Sequence, residues 1–507
     1  MCGIAGMWGA ADAATVSEMT RALAHRGPDA EGSFTAPGGV GVLGHRRLSI
    51  VDLTGGDQPI SSCAFPGRAI VANGEIYNAP RLRPVLAERH SFRTGSDTEV
   101  ALHLYAERGA PLVEDLDGMF AFALADGPEL LLARDPVGIK PLYVGTRDGA
   151  MLFASELKAF PPGTSDVAEF PPGTTYTSSA GYSTYYRVPD PQPLPHDESE
   201  CARRVRTALE ASVTKRLMGD VPVGAFLSGG LDSSAIAALM RPHVDDLHTF
   251  TVGVEGCPDL SAARQVADHL GTIHHEYHLT PGAVIEKLPE VIYALESYDQ
   301  DLVRSAVPTY FTARLAAEHV KVVLTGEGAD ELFAGYRYHR DLPDGPSLHA
   351  DLRRSVGALH NINLQRVDRM TMAHSLEARV PFLDRAMIEI GLAVPAELKL
   401  AAAGLEKRVL RLAVEDLLPA QIVWRDKAQF DEGSGAGDLL AEWTGATGAV
   451  VDSDDYRRRH PGTVLRSAEE CRYHELLFDA FENPSALDGN VGRWAERPNL
   501  TQDGGGS

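Results

Sequence analysis

Brief apolar runs broken by turn residues fill the first part of the chain. GVGVLGH, AIVANGE, MFAFALAD, LLLARD and AMLFASE are each bounded by Gly, Asp, Asn or Pro, the pattern of strands in a packed β-rich domain. Helical spacing appears between them, in TVSEMTRALAHR and in TEVALHLYAERG, the latter closed by Gly109 as a C-cap. Sheet layers covered by helices account for this mixture over residues 1–186. In RVPDPQPLPHDESE, Pro189, Pro191, Pro193 and Pro195 remove ladder donors and favour extended chain, so residues 187–200 are predicted to be a linker. After it the rhythm changes. ECARRVRTALEASVTKRLM carries Val205, Leu209, Val213 and Leu217 on one helical face. VPVGAFL, HTFTVGV, TIHHEYHL and KVVLTG then read as strands separated by helices, which implies a parallel sheet with crossovers over residues 201–500, mainly helical from about 351. The tail TQDGGGS, residues 501–507, is predicted to be disordered.

At 507 residues, with 44% hydrophobic and 23% charged positions, the chain is an ordinary globular composition too long for one core. The net charge of −23, with no dense Lys/Arg run, speaks against a nucleic-acid partner. Five scattered cysteines are not a disulfide framework and fit a reducing compartment. The sequence begins without a basic, apolar leader, and no window reaches the ~20 apolar residues of a membrane span. A cytoplasmic enzyme is the expectation.

Candidate chemistry starts at Cys2. A small second residue permits removal of the initiator Met, which leaves a thiol nucleophile and an α-amine base on one residue. Arg47, in HRRLSIVD, offers a guanidinium that can grip a carboxylate in bidentate fashion. Asn73 and Gly74, in ANGEIYN, offer donors for an oxyanion, and Asp97, in GSDTE, can hold an α-ammonium group. In order, MCGIAG, HRGPD, RLSIVD, NGEIYN, GSDTE and DGMFAFALAD resemble the glutamine amidotransferase domain of the asparagine synthetase family. The resemblance implies an N-terminal-nucleophile hydrolase sandwich, an α+β fold of αββα layers. It further implies that Cys2 attacks the glutamine side-chain amide, that Asn73 and Gly74 stabilise the oxyanion, and that Arg47, Glu75 and Asp97 bind the amino-acid end.

The second motif, LSGGLDSS at residues 227–234, joins a strand to a helix. Its glycines let backbone N–H groups converge, and Ser228, Ser233 and Ser234 add hydroxyls. No G-x-x-x-x-G-K-[ST] is present, so transfer of the terminal phosphate is not indicated. The pattern resembles the pyrophosphate loop of ATP pyrophosphatases, a doubly wound α/β fold that cleaves ATP between its α- and β-phosphates. ATP would then be held by Leu227, Ser228, Gly229, Gly230, Asp232, Ser233, Val252, Thr325 and Gly326. Asp232 and Asp330 are hard oxygen ligands suited to Mg²⁺. Glu327, in TGEGADELFAGY, can take a proton from attacking ammonia. Arg304 and Lys427 can neutralise charge on phosphate and acyl-adenylate, and Lys427 lies in the family's W-R-x-K-x-Q-F element. SLEARVPFLD and Tyr336 extend the match.

The resemblance to glutamine-hydrolysing asparagine synthetase runs from Cys2 to about residue 430. It implies glutamine, ATP and a carboxylate, aspartate first, as substrates, AMP and pyrophosphate as products, and suggests a homodimer. One segment departs from it. YDQDLVR carries Asp301 and Leu302 where the bacterial pattern has two Thr, while Arg304 remains in the acceptor region. A carboxylate facing the pocket would repel aspartate. This leaves open an amide or hydroxamate ligase of the same family with another acceptor, such as glutamate, or another nitrogen nucleophile. The loop argues against a sugar-phosphate or phosphoribosyl amidotransferase, and the intact set of catalytic residues against a non-catalytic homologue. The run His269, His274, His275 and His278 reads as a partly buried strand with local hydrogen bonds rather than as a metal site.

Overall fold

The computed structural model describes residues 2–342, 344–400, 404–426, 433–437, 439–440 and 453–493. Two six-stranded antiparallel sheets form the amino-terminal part. In the first, the strand Gly3–Trp8 lies between Gly41–Arg47 and Ala150–Ala154. In the second, Arg68–Ile76 pairs along its length with Gly118–Asp126. Side chains alternate across a strand. On Gly3–Trp8, Ala5 and Met7 face the helix Ala13–Ala22, while Ile4 and Trp8 enter the layer between the sheets with Leu43, Val71, Ala121, Leu132 and Phe153. On Arg68–Ile76, Val71 faces that inner layer and Ile70 faces the helix Glu99–Arg108, so Asn73 and Glu75 share the inner parity. The αββα sandwich therefore directs Cys2, Arg47, Asn73 and Glu75 into one inter-sheet layer.

Residues 187–197 carry no regular element and run along the second part of the chain, where Arg353 Nε donates to Pro189 O at 2.9 Å and Leu194 N to Ala393 O at 2.7 Å. The helix Glu198–Lys215 follows, capped by Asp197. The third sheet is fully parallel, in the order Ile273–Leu279, His248–Val254, Val223–Phe226, Val322–Leu324, Glu377–Arg379. The chain starts in the middle, moves to one edge, returns and moves to the other. In such a doubly wound sheet the crevice opens outside the carboxyl ends of the strands at the reversal, here after Val223–Phe226 and Val322–Leu324. The edge strand Glu377–Arg379 was not predicted, since EAR reads as exposed. Its charges are buried because Arg379 Nε donates to Glu377 Oε1 at 2.6 Å and its guanidinium reaches Glu75 of the sandwich at 3.8 Å.

The two parts are locked by apolar and ionic contacts. One core cluster runs from Met7, Val16 and Leu152 through Leu288, Val307 and Tyr310 to Leu477 on the helix Ala468–Ala480. Beside it, Arg26, Glu156, Lys158, Glu296, Asp368 and Arg369 form an almost solvent-free ionic network. Arg369 Nη2 donates to Glu296 Oε2 at 2.9 Å, and Glu296 also accepts from the Leu157 and Lys158 amides. Removing one member of such a network strands its partner's charge, at about 3–5 kcal/mol. Arg369→Ala is therefore expected to lower the thermal unfolding midpoint by several degrees, whereas exposed Arg458→Ala should leave it unchanged; differential scanning calorimetry checks both.

Candidate active sites

At the sandwich site, the Cys2 amide donates to Asn73 Oδ1 at 3.1 Å, and Arg26 Nε donates to Cys2 O at 3.0 Å. Burial pushes the Cys2 thiol up; the amino-terminal charge and the Leu48 amide work against this. Asn73 Nδ2 and Glu75 Oε2 are buried without a hydrogen-bond partner. Such orphans are rare unless something polar binds there. Gly74 has φ +140°, and a Cβ on it would sit 1.9 Å from Met119 O, so only glycine fits. Carboxylates crowd this pocket. Glu75 is raised well above its ordinary value by burial, Glu377 and Asp97. Burial likewise raises Asp97, which accepts from Ile76 N at 2.6 Å. Glu377 goes the other way: the amino terminus, Arg379 and Lys140 outweigh burial and hold it at about 2. The site can thus keep one carboxyl neutral beside an ionised one.

The second site is a cavity of about 450 Å³ at the reversal point of the parallel sheet. Its floor is the loop that enters the helix Leu231–Met240. Gly229, at φ +71°, passes so close to the helix Pro258–Leu270 that a Cβ would lie 2.5 Å from Ala262 C. Gly230 N donates to Ser228 Oγ at 3.3 Å. Thr325 Oγ1 and Ser234 Oγ are buried without a hydrogen-bond partner. A convergent loop, a helix amino terminus and orphaned hydroxyls fit a polyphosphate. Asp232 Oδ2 and Asp330 Oδ1 both lie 2.5 Å from Lys407 Nζ. These two carboxylates raise the Lys407 ammonium above its usual value in spite of burial. Two hard carboxylates converging on one cation are the donor set a divalent ion needs. Glu327, on the loop after Val322–Leu324, accepts from Arg366 Nη2 at 2.5 Å; burial raises its carboxyl and Arg366 opposes that. Asp301, Ser305, Thr309 and Thr312 form a stripe along the helix Gln300–Ala317 that completes the wall.

One helix, Asn363–Met372, serves both sites. Asn363, Arg366 and Val367 line the cavity, while Asp368 on the opposite face receives the Arg26 guanidinium at 2.8 Å, and Arg26 holds Cys2 O.

Residues 1–179 match the family model described as a glutamine amidotransferase domain, and residues 204–353 and 341–460 match the asparagine synthase model. Asparagine synthetase B [glutamine-hydrolyzing] of Escherichia coli (strain K12) is 39% identical over 494 residues, covering 93% of this chain and 89% of that protein. Asparagine synthetase [glutamine-hydrolyzing] 3 of Arabidopsis thaliana is 42% identical, covering 97% and 89%. The chain belongs to the asparagine synthetase family. Its members named here are carbon–nitrogen ligases that hydrolyse glutamine.

Within this member of the asparagine synthetase family, the structure gathers most of the residues singled out from sequence. Leu227, Ser228, Gly230, Asp232, Ser233, Val252, Thr325, Gly326, Glu327, Asp330 and Asp301 line the cavity, with Gly229 bracing the loop. Arg47 is buried beside the sandwich site, but its guanidinium is bound to Asp57 Oδ1 at 2.8 Å and Asp52 O at 2.5 Å. Arg304 lies off the stripe of Asp301, Ser305, Thr309 and Thr312 and grips Glu469 through two hydrogen bonds of 2.8 and 3.1 Å. Lys427 lies outside the described residues. Sequence reasoning passed over Lys407, Arg366, Arg26 and Glu377. Lys407 stands in GLEKRVLR, whose helical text gave no sign that one Lys turns inward at φ +58°.

Proposed function

We propose that this chain makes asparagine from aspartate, glutamine and ATP, releasing AMP, pyrophosphate and glutamate. The observation that supports it most is the pairing of a Cys2–Asn73 pocket with an Asp232/Asp330/Lys407/Glu327 cavity across one shared helix. At the first site the freed α-amine of Cys2 takes the thiol proton, and the thiolate attacks the glutamine amide carbon. Asn73 and the Gly74 amide hold the oxyanion, while Arg47, Glu75 and Asp97 fix the amino-acid end. The protonated amine returns its proton to the departing ammonia, and water then hydrolyses the Cys2 thioester to release glutamate and restore the thiol. The ammonia passes along the helix Asn363–Met372, away from bulk water that would protonate it.

At the second site an aspartate carboxylate oxygen attacks the α-phosphorus and pyrophosphate departs. Leu227, Val252 and the 228–234 loop position ATP, and Lys407 meets phosphate charge. Asp232 and Asp330 would hold Mg²⁺, which supplies further neutralisation of the polyphosphate. Glu327 accepts a proton as ammonia displaces AMP from the acyl-adenylate. Lys427 completes the cationic surround by the family pattern. The enzyme is read as cytoplasmic and homodimeric; no helix among the described residues is long and apolar enough to cross a membrane.

The repulsion expected of Asp301 is offset, because Arg466 Nη1 donates to its Oδ2 at 3.1 Å. A carboxylate with a neighbouring guanidinium can hold an acceptor's α-ammonium without rejecting its carboxylates, which favours aspartate over the alternative acceptors. Pyrophosphate release, assayed over aspartate, glutamate and simple carboxylates with ammonia or hydroxylamine, is expected to be fastest by at least about tenfold with aspartate and ammonia. A greater kcat/KM with glutamate or hydroxylamine would transfer the assignment to the alternative ligase.

A further inference from the structure

We infer that His248, His275 and His319 form a binding site for a first-row transition-metal dication such as Zn²⁺ or Ni²⁺, remote from both reaction centres. The histidine run read from sequence does not converge as a unit. His269 Nε2 meets Leu417 O at 3.1 Å, His274 Nδ1 meets Thr249 Oγ1 at 2.9 Å, and His278 is exposed beside Glu276. The parallel register instead separates His275 from that group. His275 pairs with Phe250, and two residues earlier on the same face stands His248. The helix Gln300–Ala317 packs across these strands, and the turn after it delivers His319 to the same place.

One ring nitrogen from each of the three histidines lies within 4.8 Å of the other two. His248 Nδ1 and His275 Nε2 are 2.9 Å apart, and the His275 and His319 ring centroids 3.9 Å apart. Tetrahedral zinc with ~2.0–2.1 Å bonds places its nitrogen ligands roughly 3.4 Å apart. Reaching that spacing asks for side-chain rotation of about 1 Å. His319, exposed at one face though stacked on His275 and Phe250, has the most room to make it, while His248 and His275 are half-buried. Within the His248–His275 contact one ring is donor. On coordination that ring moves its proton to its other nitrogen, so both bind as neutral imidazoles and no net proton is released. Three imidazoles without a carboxylate select Zn²⁺, Ni²⁺ or Cu²⁺ over Mg²⁺. The open side of His319 leaves the fourth position to water.

The strands run parallel, and His248 opens its strand, so the cluster sits toward the end of the sheet opposite the ATP loop. A metal there ties the far end of the helix Gln300–Ala317, whose first turn carries Asp301 at the cavity, to the sheet. Its effect is on stability and not on the reaction.

The test uses the full-length protein, stripped with EDTA, desalted and titrated with ZnCl₂ or NiCl₂ by isothermal calorimetry, with thermal unfolding in parallel. One ion per chain is expected, with micromolar or tighter affinity and a raised unfolding midpoint. Exposed His319→Ala should weaken binding by at least about tenfold, and His248→Ala should do the same. His278→Ala, outside the cluster, should leave it unchanged. Absence of one-to-one binding, binding unaffected by His319→Ala, or binding lost in His278→Ala would each overturn the assignment. Should His248→Ala fold poorly, His319→Ala decides alone, because its side chain is exposed.

Discussion

Replacing Cys2 with Ala is expected to reduce glutamine-driven asparagine formation to background while leaving ammonium-driven formation within about twofold. The first loss follows because the nucleophile disappears, and without a covalent intermediate the residual acceleration over water is small. The second activity survives because the cavity lined by Glu327, Lys407 and Asp301 receives no atom from Cys2. Ala at this position loses one buried sulfur and keeps the main-chain nitrogen that donates to Asn73 Oδ1. The fold should therefore hold, which a matching circular dichroism spectrum and melting profile would check. The pH profile carries a sign as well. Burial raises the Cys2 thiol, so its thiolate is scarce at neutral pH and glutamine hydrolysis should climb with pH up to the range where the amine can accept the proton. Loss of both activities in the variant would mean that Cys2 also supports the second site, contrary to the two-site account.

Glu327→Gln should have the complementary effect. Both the glutamine- and the ammonium-driven syntheses are expected to fall by about 10²–10⁴, the range for loss of a general base, with glutamine hydrolysis retained. Gln can still accept the hydrogen bond from Arg366, and the exchange removes a half-buried charge, so the variant should be no less stable than the parent. The carboxyl is raised above its ordinary 4.5 by burial. The base form is therefore lost earlier on acidification than for an exposed glutamate, and synthesis at a fixed concentration of unprotonated ammonia should decline as pH falls through that raised value. A raised carboxyl pKa also means that the fold favours the neutral acid. Glu327 thus subtracts from stability at neutral pH; this penalty shrinks as pH falls through its raised folded pKa and is gone only below the ordinary, unfolded value. A variant that loses synthesis and also unfolds would show that the Arg366 contact is structural.

How much of this was legible in the sequence depended on the signal each element left. The strand His248–Val254 coincides with HTFTVGV because Thr249, Phe250, Thr251, Val252 and Val254 are β-branched or aromatic residues suited to a strand. The helix Glu99–Arg108 was readable from its period and from Gly109, which takes φ +63°. The strand Gly3–Trp8 was not assigned. GIAGMW is buried on both faces and rich in glycine, so it shows neither alternation nor β-branched residues. Glu377–Arg379 was hidden for the opposite reason, since ionic residues suggest exposure and their partners lie in the other half of the chain.

The sites followed the same rule. Residues inside contiguous motifs, such as Asp232 and Ser233, were found because the motif fixes their geometry locally. Lys407 was missed because its partners Asp232 and Asp330 are distant in sequence, and only the fold brings them together. Arg304 is offset from the Asp301 and Ser305 stripe around its helix and meets Glu469, a partner from a distant segment that no local motif announces. Asp301 lines the cavity, but its Arg466 contact comes from a carboxyl-terminal segment beyond the family motifs.

The central claim is that the acceptor carboxylate is activated as an acyl-adenylate. Aspartate labelled with ¹⁸O in its side-chain carboxylate, turned over with ATP and ammonia, tests it most directly by mass spectrometry of the nucleotide product. The account predicts one ¹⁸O transferred to AMP for each asparagine formed, with unlabelled pyrophosphate. Formation of ADP with ¹⁸O in inorganic phosphate would contradict it.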